Sequence, residues 1–70
     1  MIGKILTLKG KTQKGKNRIR EHGTSWQVRM DFKSVPCLDD KPGLFIAPIG
    51  DDGSNSRWIR QVDDKDFEIL

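Results

Sequence analysis

Cysteine and histidine each occur once, as Cys37 and His22. A lone cysteine excludes an internal disulfide, and one Cys with one His cannot build a structural zinc site. No run of about 18 apolar residues occurs, so no segment is expected to span a membrane as a helix. No apolar stretch of the signal-peptide kind follows the N-terminus, and the expected location is the cytoplasm. Seventy residues make one domain, residues 1–70, too short for a two-domain enzyme or a doubly wound dinucleotide fold. A chain of this size buries only about 60% of the surface it exposes when unfolded. With disulfide and zinc set aside, self-association is the staple that remains. The hydrophobic fraction is 34% and the charged fraction 33%, polar for a globular domain. The apolar residues are nevertheless patterned, so a folded chain is expected rather than a disordered one.

The net charge of +3 is unevenly spread. Residues 1–33 hold nine basic and two acidic residues, a balance of +7. Residues 34–70 hold four basic and eight acidic residues, a balance of −4. Such asymmetry points to one side that faces a polyanion and an opposite acidic side. It also suits head-to-tail assembly, the basic half of one subunit meeting the acidic half of the next.

The pattern predicts strands and turns. Met1 to Leu8 reads as a strand in which the adjacent Ile5 and Leu6 must face opposite sides. Residues 10–17 read as a basic loop without apolar side chains, and residues 18–20 as a short strand around Ile19. Trp26, Val28, Met30 and Phe32 alternate with Gln27, Arg29, Asp31 and Lys33, the clearest strand of the chain. Pro36 and residues 39–43 break it. Residues 44–49 form an apolar run of buried-strand length, with Pro48 marking an edge or bulge near its end. Residues 50–55 read as a hairpin loop. Residues 57–62 form the next strand, with Trp58, Arg60 and Val62 on one side. Residues 63–66 turn, and residues 67–70 close the chain as a last strand. No segment holds a helical period over ten residues. The expected fold class is all-β, a small SH3-like or OB-like barrel of about five bent antiparallel strands.

Catalytic motifs fail on inspection. Gly10-Lys11-Thr12 resembles the end of a phosphate-binding loop, but that motif needs a Gly where Ile5 stands, and a helix after it. The acidic pairs Asp39-Asp40, Asp51-Asp52 and Asp63-Asp64 invite a metal or an acid–base role, but each sits at a turn, where Asp is at home. Cys37 and His22 lack an orienting third group, and Cys37 reads as a half-buried small apolar residue. No enzyme, cofactor or metal is expected. Trp26 and Trp58 suit the core; for Trp58 the competing role is base stacking between Arg57 and Arg60. If Trp58 faced inward, Arg60 would follow it, and a buried unpaired Arg is costly. A bulge, an ion pair with an Asp, or an outward-facing binding surface would resolve this.

The run Lys14-Gly15-Lys16-Asn17-Arg18-Ile19-Arg20-Glu21-His22-Gly23 followed by Trp26, together with Asn55-Ser56-Arg57-Trp58-Ile59 and Asp63-Asp64-Lys65-Asp66-Phe67-Glu68, resembles a family of small proteins of marine cyanophages and ocean metagenomes. The resemblance covers roughly residues 4–69. It implies an Sm-like barrel, the fold of the Sm, LSm and Hfq RNA-binding proteins, assembled into a ring. Met30-Asp31-Phe32 stands where the first Sm motif would fall, without its Asn. Ile59-Arg60 matches the start of the second, with Gln61 in place of Gly. Base-specific recognition is therefore not carried over.

The expectation is a homo-oligomeric ring of roughly five to seven subunits that binds RNA or single-stranded DNA in the cytoplasm of an infected host cell. Lys9, Lys11, Lys14, Lys16, Arg18 and Arg20 would neutralise phosphates, with Arg29, Arg57 and Arg60 as second-rank candidates. The alternatives are a phage accessory module that docks on a host protein through its acidic half, and a metal-assisted nuclease.

Overall fold

Alternation sets the first strand. In the computed structural model, which describes residues 2–70, β1 (Ile5–Gly10) buries Leu6, Leu8 and Gly10 and exposes Ile5, Thr7 and Lys9. Ile5 and Leu6 do face opposite sides, at 50% and 4% exposure. The strand begins later than the sequence pattern predicts, and Met1 lies outside the described residues.

The next segment corrects the all-β expectation. Residues 13–22, read from sequence as a basic loop and a short strand, form the helix α1 (Gln13–His22). Thr12 caps it, its hydroxyl accepting from the Gly15 N–H at 3.1 Å. Gly23, at φ 89°, ends it, donating its N–H to the Ile19 carbonyl at 2.7 Å. The helix has no apolar stripe because its inner face rests on a glycine. Gly15 is buried, and a Cβ there would overlap the Asp66 carbonyl; a Cβ on Gly10 would stand 2.5 Å from the Lys16 nitrogen. These two glycines let the helix backbone lie directly on the end of β1, a close approach that larger residues would prevent.

The remaining elements are β2 (Ser25–Val35), a 3-10 turn at Pro36–Leu38, β3 (Lys41–Pro48), β4 (Arg57–Arg60) and β5 (Phe67–Ile69). The five strands form one antiparallel sheet in the order β4-β3-β2-β1-β5. The chain is thus mostly β with one helix, and the sheet is open, since β4 and β5 stand at its two ends. Pro48 ends β3 beyond the β3–β4 ladder, which stops at Ile46 opposite Arg57, so its missing N–H breaks no bond to β4. Leu6, Leu8, Trp26, Val28, Leu44, Ile46, Ile59 and Phe67 make the core, with Ile19 of α1 packed against it.

Two irregularities in β2 decide which side chains reach water. Val28 faces Ile46 and Met30 faces Phe45, so Arg29 is an extra residue and the strand changes face there. Trp26 and Val28 point into the core, whereas Met30 and Phe32 point outward, 40% and 48% exposed. The simple alternation expected over 26–32 is broken at this bulge. A second shift between Phe32 and Val35 returns Val35 to a buried position. Cys37 is exposed rather than half-buried, because it lies on the outer rim of the 3-10 turn.

The turn at residues 61–66 is fastened by its own acids. Buried Asp64 accepts from the backbone N–H groups of Arg60, Asp66 and Phe67 at 3.0–3.1 Å. Lys11 donates to the Asp64 carbonyl at 2.7 Å, and the Thr12 hydroxyl donates to Asp66 at 2.7 Å. Asp39, Asp40 and Asp63 take left-handed backbone with φ near 57°, 59° and 56°, a conformation that Asp tolerates. Among the described residues no helix is long and apolar enough to cross a membrane.

Candidate nucleic-acid interface

The helix brings basic residues together that the linear sequence leaves spread out. Gly15, Ile19 and His22 face inward, so Lys14 and Arg18 fall on one flank of α1 and Lys16 and Arg20 on the other. Each flank is a like-charge pair four residues apart, and the first turn carries no acid. Such pairs destabilise an isolated helix by about 0.2–0.5 kcal/mol each. Cations at the N-terminal turn also oppose the helix dipole. These charges therefore do not serve the fold.

On the first flank, Lys14 and Arg18 line a concavity of about 270 Å³ together with Arg57, Trp26 and the 54–56 segment. Among the described residues, Lys14 and Arg18 make no ion pair. Arg57 enters from β4. Its guanidinium lies 4.6 Å from the Phe67 ring centroid and 3.9 Å from the Asp66 carboxylate, while its buried Nε has no hydrogen-bond partner among the described residues. With Asp66 set against the three cations, the cleft retains a positive excess.

The facing wall is held by Asp51 and Asp52, one of the acidic pairs that the sequence places at turns. Asp51 accepts from the Asn55 side chain at 2.9 Å and from the backbone N–H groups of Gly53 and Asn55. Asp52 accepts from the Ser54 hydroxyl and N–H. Both carboxyls titrate below their ordinary range, chiefly through the Asn55 side-chain hydrogen bond for Asp51 and the Ser54 side-chain hydrogen bond for Asp52. They shape the loop that presents Ser54, Asn55 and Ser56 to the cleft. Among the described residues no three His, Cys, Asp or Glu side chains group as metal ligands.

The other candidates lie elsewhere. Lys9 and Lys16 border a second, shallower depression with Ile19 and Leu70, and Lys9 stands opposite Glu68 in the ladder. Arg20 donates to Asn17 at 3.2 Å. Lys11, Arg29 and Arg60 direct donors to acceptors of the chain itself: the Asp64 carbonyl, the Asp51 carbonyl at 3.2 Å and the Asp39 carboxylate at 2.9 Å. The nine cations are therefore not one continuous surface.

Trp26 is a core residue, 1% exposed, its indole N–H donating to the Gly23 carbonyl at 3.0 Å. Trp58 is half-buried on the outer face of the sheet, in ring contact with Phe32 and Phe45. Arg60 follows it outward and pairs with Asp39, so no unpaired Arg enters the core. Sequence reasoning missed Ser54, Asn55 and Ser56 as cleft residues and Phe32 and Phe45 as neighbours of Trp58. The first three depend on a helix hidden by its glycines, Phe32 on the bulge at Arg29, and Phe45 on the register that sets it opposite Trp58.

Comparison with protein-family models, with curated proteins and with solved structures found no match for this chain.

Proposed function

We propose that this protein is a non-catalytic nucleic-acid-binding module that holds RNA or single-stranded DNA by its phosphates. The observation that carries this reading is the cleft where Lys14 and Arg18 meet Arg57. Among the described residues Lys14 and Arg18 are unpaired cations kept at some expense to helix stability, and a phosphodiester would relieve their mutual repulsion. The Ser54 and Ser56 hydroxyls and the Asn55 side-chain amide donate to Asp52, the Gly53 carbonyl and Asp51, so they hold the cleft wall in shape and leave phosphate contact to the cations. Docking on a host protein through the acidic half finds less support, because Asp51, Asp52, Asp64 and Asp66 serve as acceptors for their own turns.

The finer reading is an Sm-like subunit of a ring, working in the cytoplasm of a phage-infected cell. Its support is the resemblance of residues 4–69 and the open sheet, whose end strands β4 and β5 each leave one edge unpaired. Pairing β4 of one subunit with β5 of the next would satisfy both edges and close a cycle.

Fluorescence anisotropy of labelled single-stranded RNA, single-stranded DNA and duplex DNA across a salt series tests the function. The expected result is micromolar or tighter binding of single strands at low salt, weakening by about 0.7 log units per phosphate contact for each tenfold rise in salt. Absence of binding to all three at low salt would refute it. Light scattering tests the ring, and a monomer at all concentrations would exclude it.

A further inference from the structure

The outer face of the sheet carries a tier of large apolar side chains that the core does not use. Met30, Phe45 and Trp58 stand opposite one another across β2, β3 and β4. The Trp58 ring lies 4.9 Å from Phe45 and 5.5 Å from Phe32, centroid to centroid, with only 34° between the Phe32 and Trp58 planes. Beside them the 3-10 turn raises a wall, and Phe32, Trp58, Ser34, Pro36 and Cys37 border an apolar groove of about 490 Å³. The bulge at Arg29 creates this surface. Without the extra residue, Met30 and Phe32 would continue the inward face of Trp26 and Val28. A bulge that re-aims two apolar side chains into water is a recurrent device next to binding sites.

We infer that this tier, centred on Phe32 and Trp58, is a stacking surface for the unpaired bases of a single-stranded nucleic acid. The inference rests on the proposed function for the choice of ligand. Three further observations favour bases over a second copy of the chain. The surface is mainly aromatic, and every base offers a π-face to a ring. Four partly exposed side chains supply only a few hundred Å² of apolar area, against about 800 Å² per partner in a stable protein interface. Cations also lie within reach. Arg60 follows Trp58 on the same face, and its partner Asp39 is 82% exposed, so that ion pair is weak and can yield to a phosphate. Arg57, one residue before Trp58 on the edge strand β4, projects to the opposite face.

The test compares an oligothymidylate with an abasic phosphodiester of equal length, which keeps every phosphate and removes every base. Affinity is read by anisotropy, and occupancy of the groove by the rate at which iodoacetamide alkylates Cys37 in the unaltered protein. The base-bearing strand is expected to bind about tenfold or more tightly than the abasic one and to slow alkylation, whereas the abasic strand does not. Phe32→Ala and Trp58→Ala, checked for folding by circular dichroism, should erase the difference between the two strands and leave the salt dependence unchanged. Equal affinities of the two strands for the unaltered protein would overturn the inference while the phosphate-binding reading stands. Binding of neither strand would overturn both. A smaller assembly for folded Phe32→Ala in light scattering would make the surface a contact between copies and overturn the stacking role.

Discussion

The Arg57 guanidinium lies over the ring of Phe67, 4.6 Å from its centroid, so a residue of one end strand is seated on a core residue of the other. This contact crosses the open sheet and sets where the third cation of the cleft stands. Phe67→Leu keeps an apolar side chain in the core but removes the ring. Stability should fall by about 1–2 kcal/mol, measured as a lower urea midpoint at unchanged slope, and single-strand affinity should fall with it. Unchanged stability and affinity would show that the ring neither supports nor positions Arg57.

Gly15→Ala offers a test of sign. In an exposed helix interior this change stabilises by about 1 kcal/mol. Here the new Cβ would overlap the Asp66 carbonyl, so the helix must lift from the 61–66 turn. We predict destabilisation of about 1–3 kcal/mol in chemical denaturation. A gain in stability would mean that α1 does not rest on the 61–66 turn.

Much of the β architecture was legible because burial on one face leaves a period of two. Leu6 and Leu8, Trp26 and Val28, all but Ile49 of the run 44–49, and Ile59 read correctly as strand residues, whereas residues 41–43, read as a break, open β3. The helix was not legible, because Gly15 replaces the apolar side chain that would mark its inner face and Ile19 is its one apolar residue. Lys14 was therefore read in a loop and Arg18 in a short strand, although both lie on the helix, and their convergence on Arg57 stayed hidden. Met30 and Phe32 were misread for a different reason, since a bulge leaves no trace in a pattern that alternates without a break.

Asp64 is the acceptor for three backbone N–H groups in the turn that receives the helix. Asp64→Ala leaves those donors without a partner and should cost about 2–4 kcal/mol; Asp64→Asn, which keeps one side-chain acceptor oxygen, should cost less. Differential scanning calorimetry of the two variants checks the order. Equal melting temperatures for Asp64→Ala and the unaltered protein would contradict it.

The cleft wall should survive mild acid. The Asp51 carboxyl titrates below the ordinary aspartate value, because hydrogen bonds from Asn55 and Gly53 favour its charged form. A folded-state pKa below the unfolded one means that its stabilisation is present above that unfolded value. It is lost only as pH falls through the lower folded pKa. In an NMR titration the Gly53 and Asn55 amide shifts should move with a midpoint below the ordinary aspartate value, and Asp51→Asn should abolish that movement. A midpoint above the ordinary aspartate value would contradict the assignment of these hydrogen bonds.

The central claim is that a particular cleft, rather than net positive charge, holds the nucleic acid. The most direct measurement compares two double variants that remove the same charge: Lys14→Ala with Arg18→Ala, and Lys4→Ala with Lys33→Ala. Single-stranded RNA affinity is measured for each across a salt series. The first pair should lose about tenfold or more in affinity at low salt and reduce the log–log salt slope by about 1.4, while the second keeps the unaltered slope. Equal losses for the two pairs would show that diffuse charge, and not the meeting of Lys14, Arg18 and Arg57, accounts for binding.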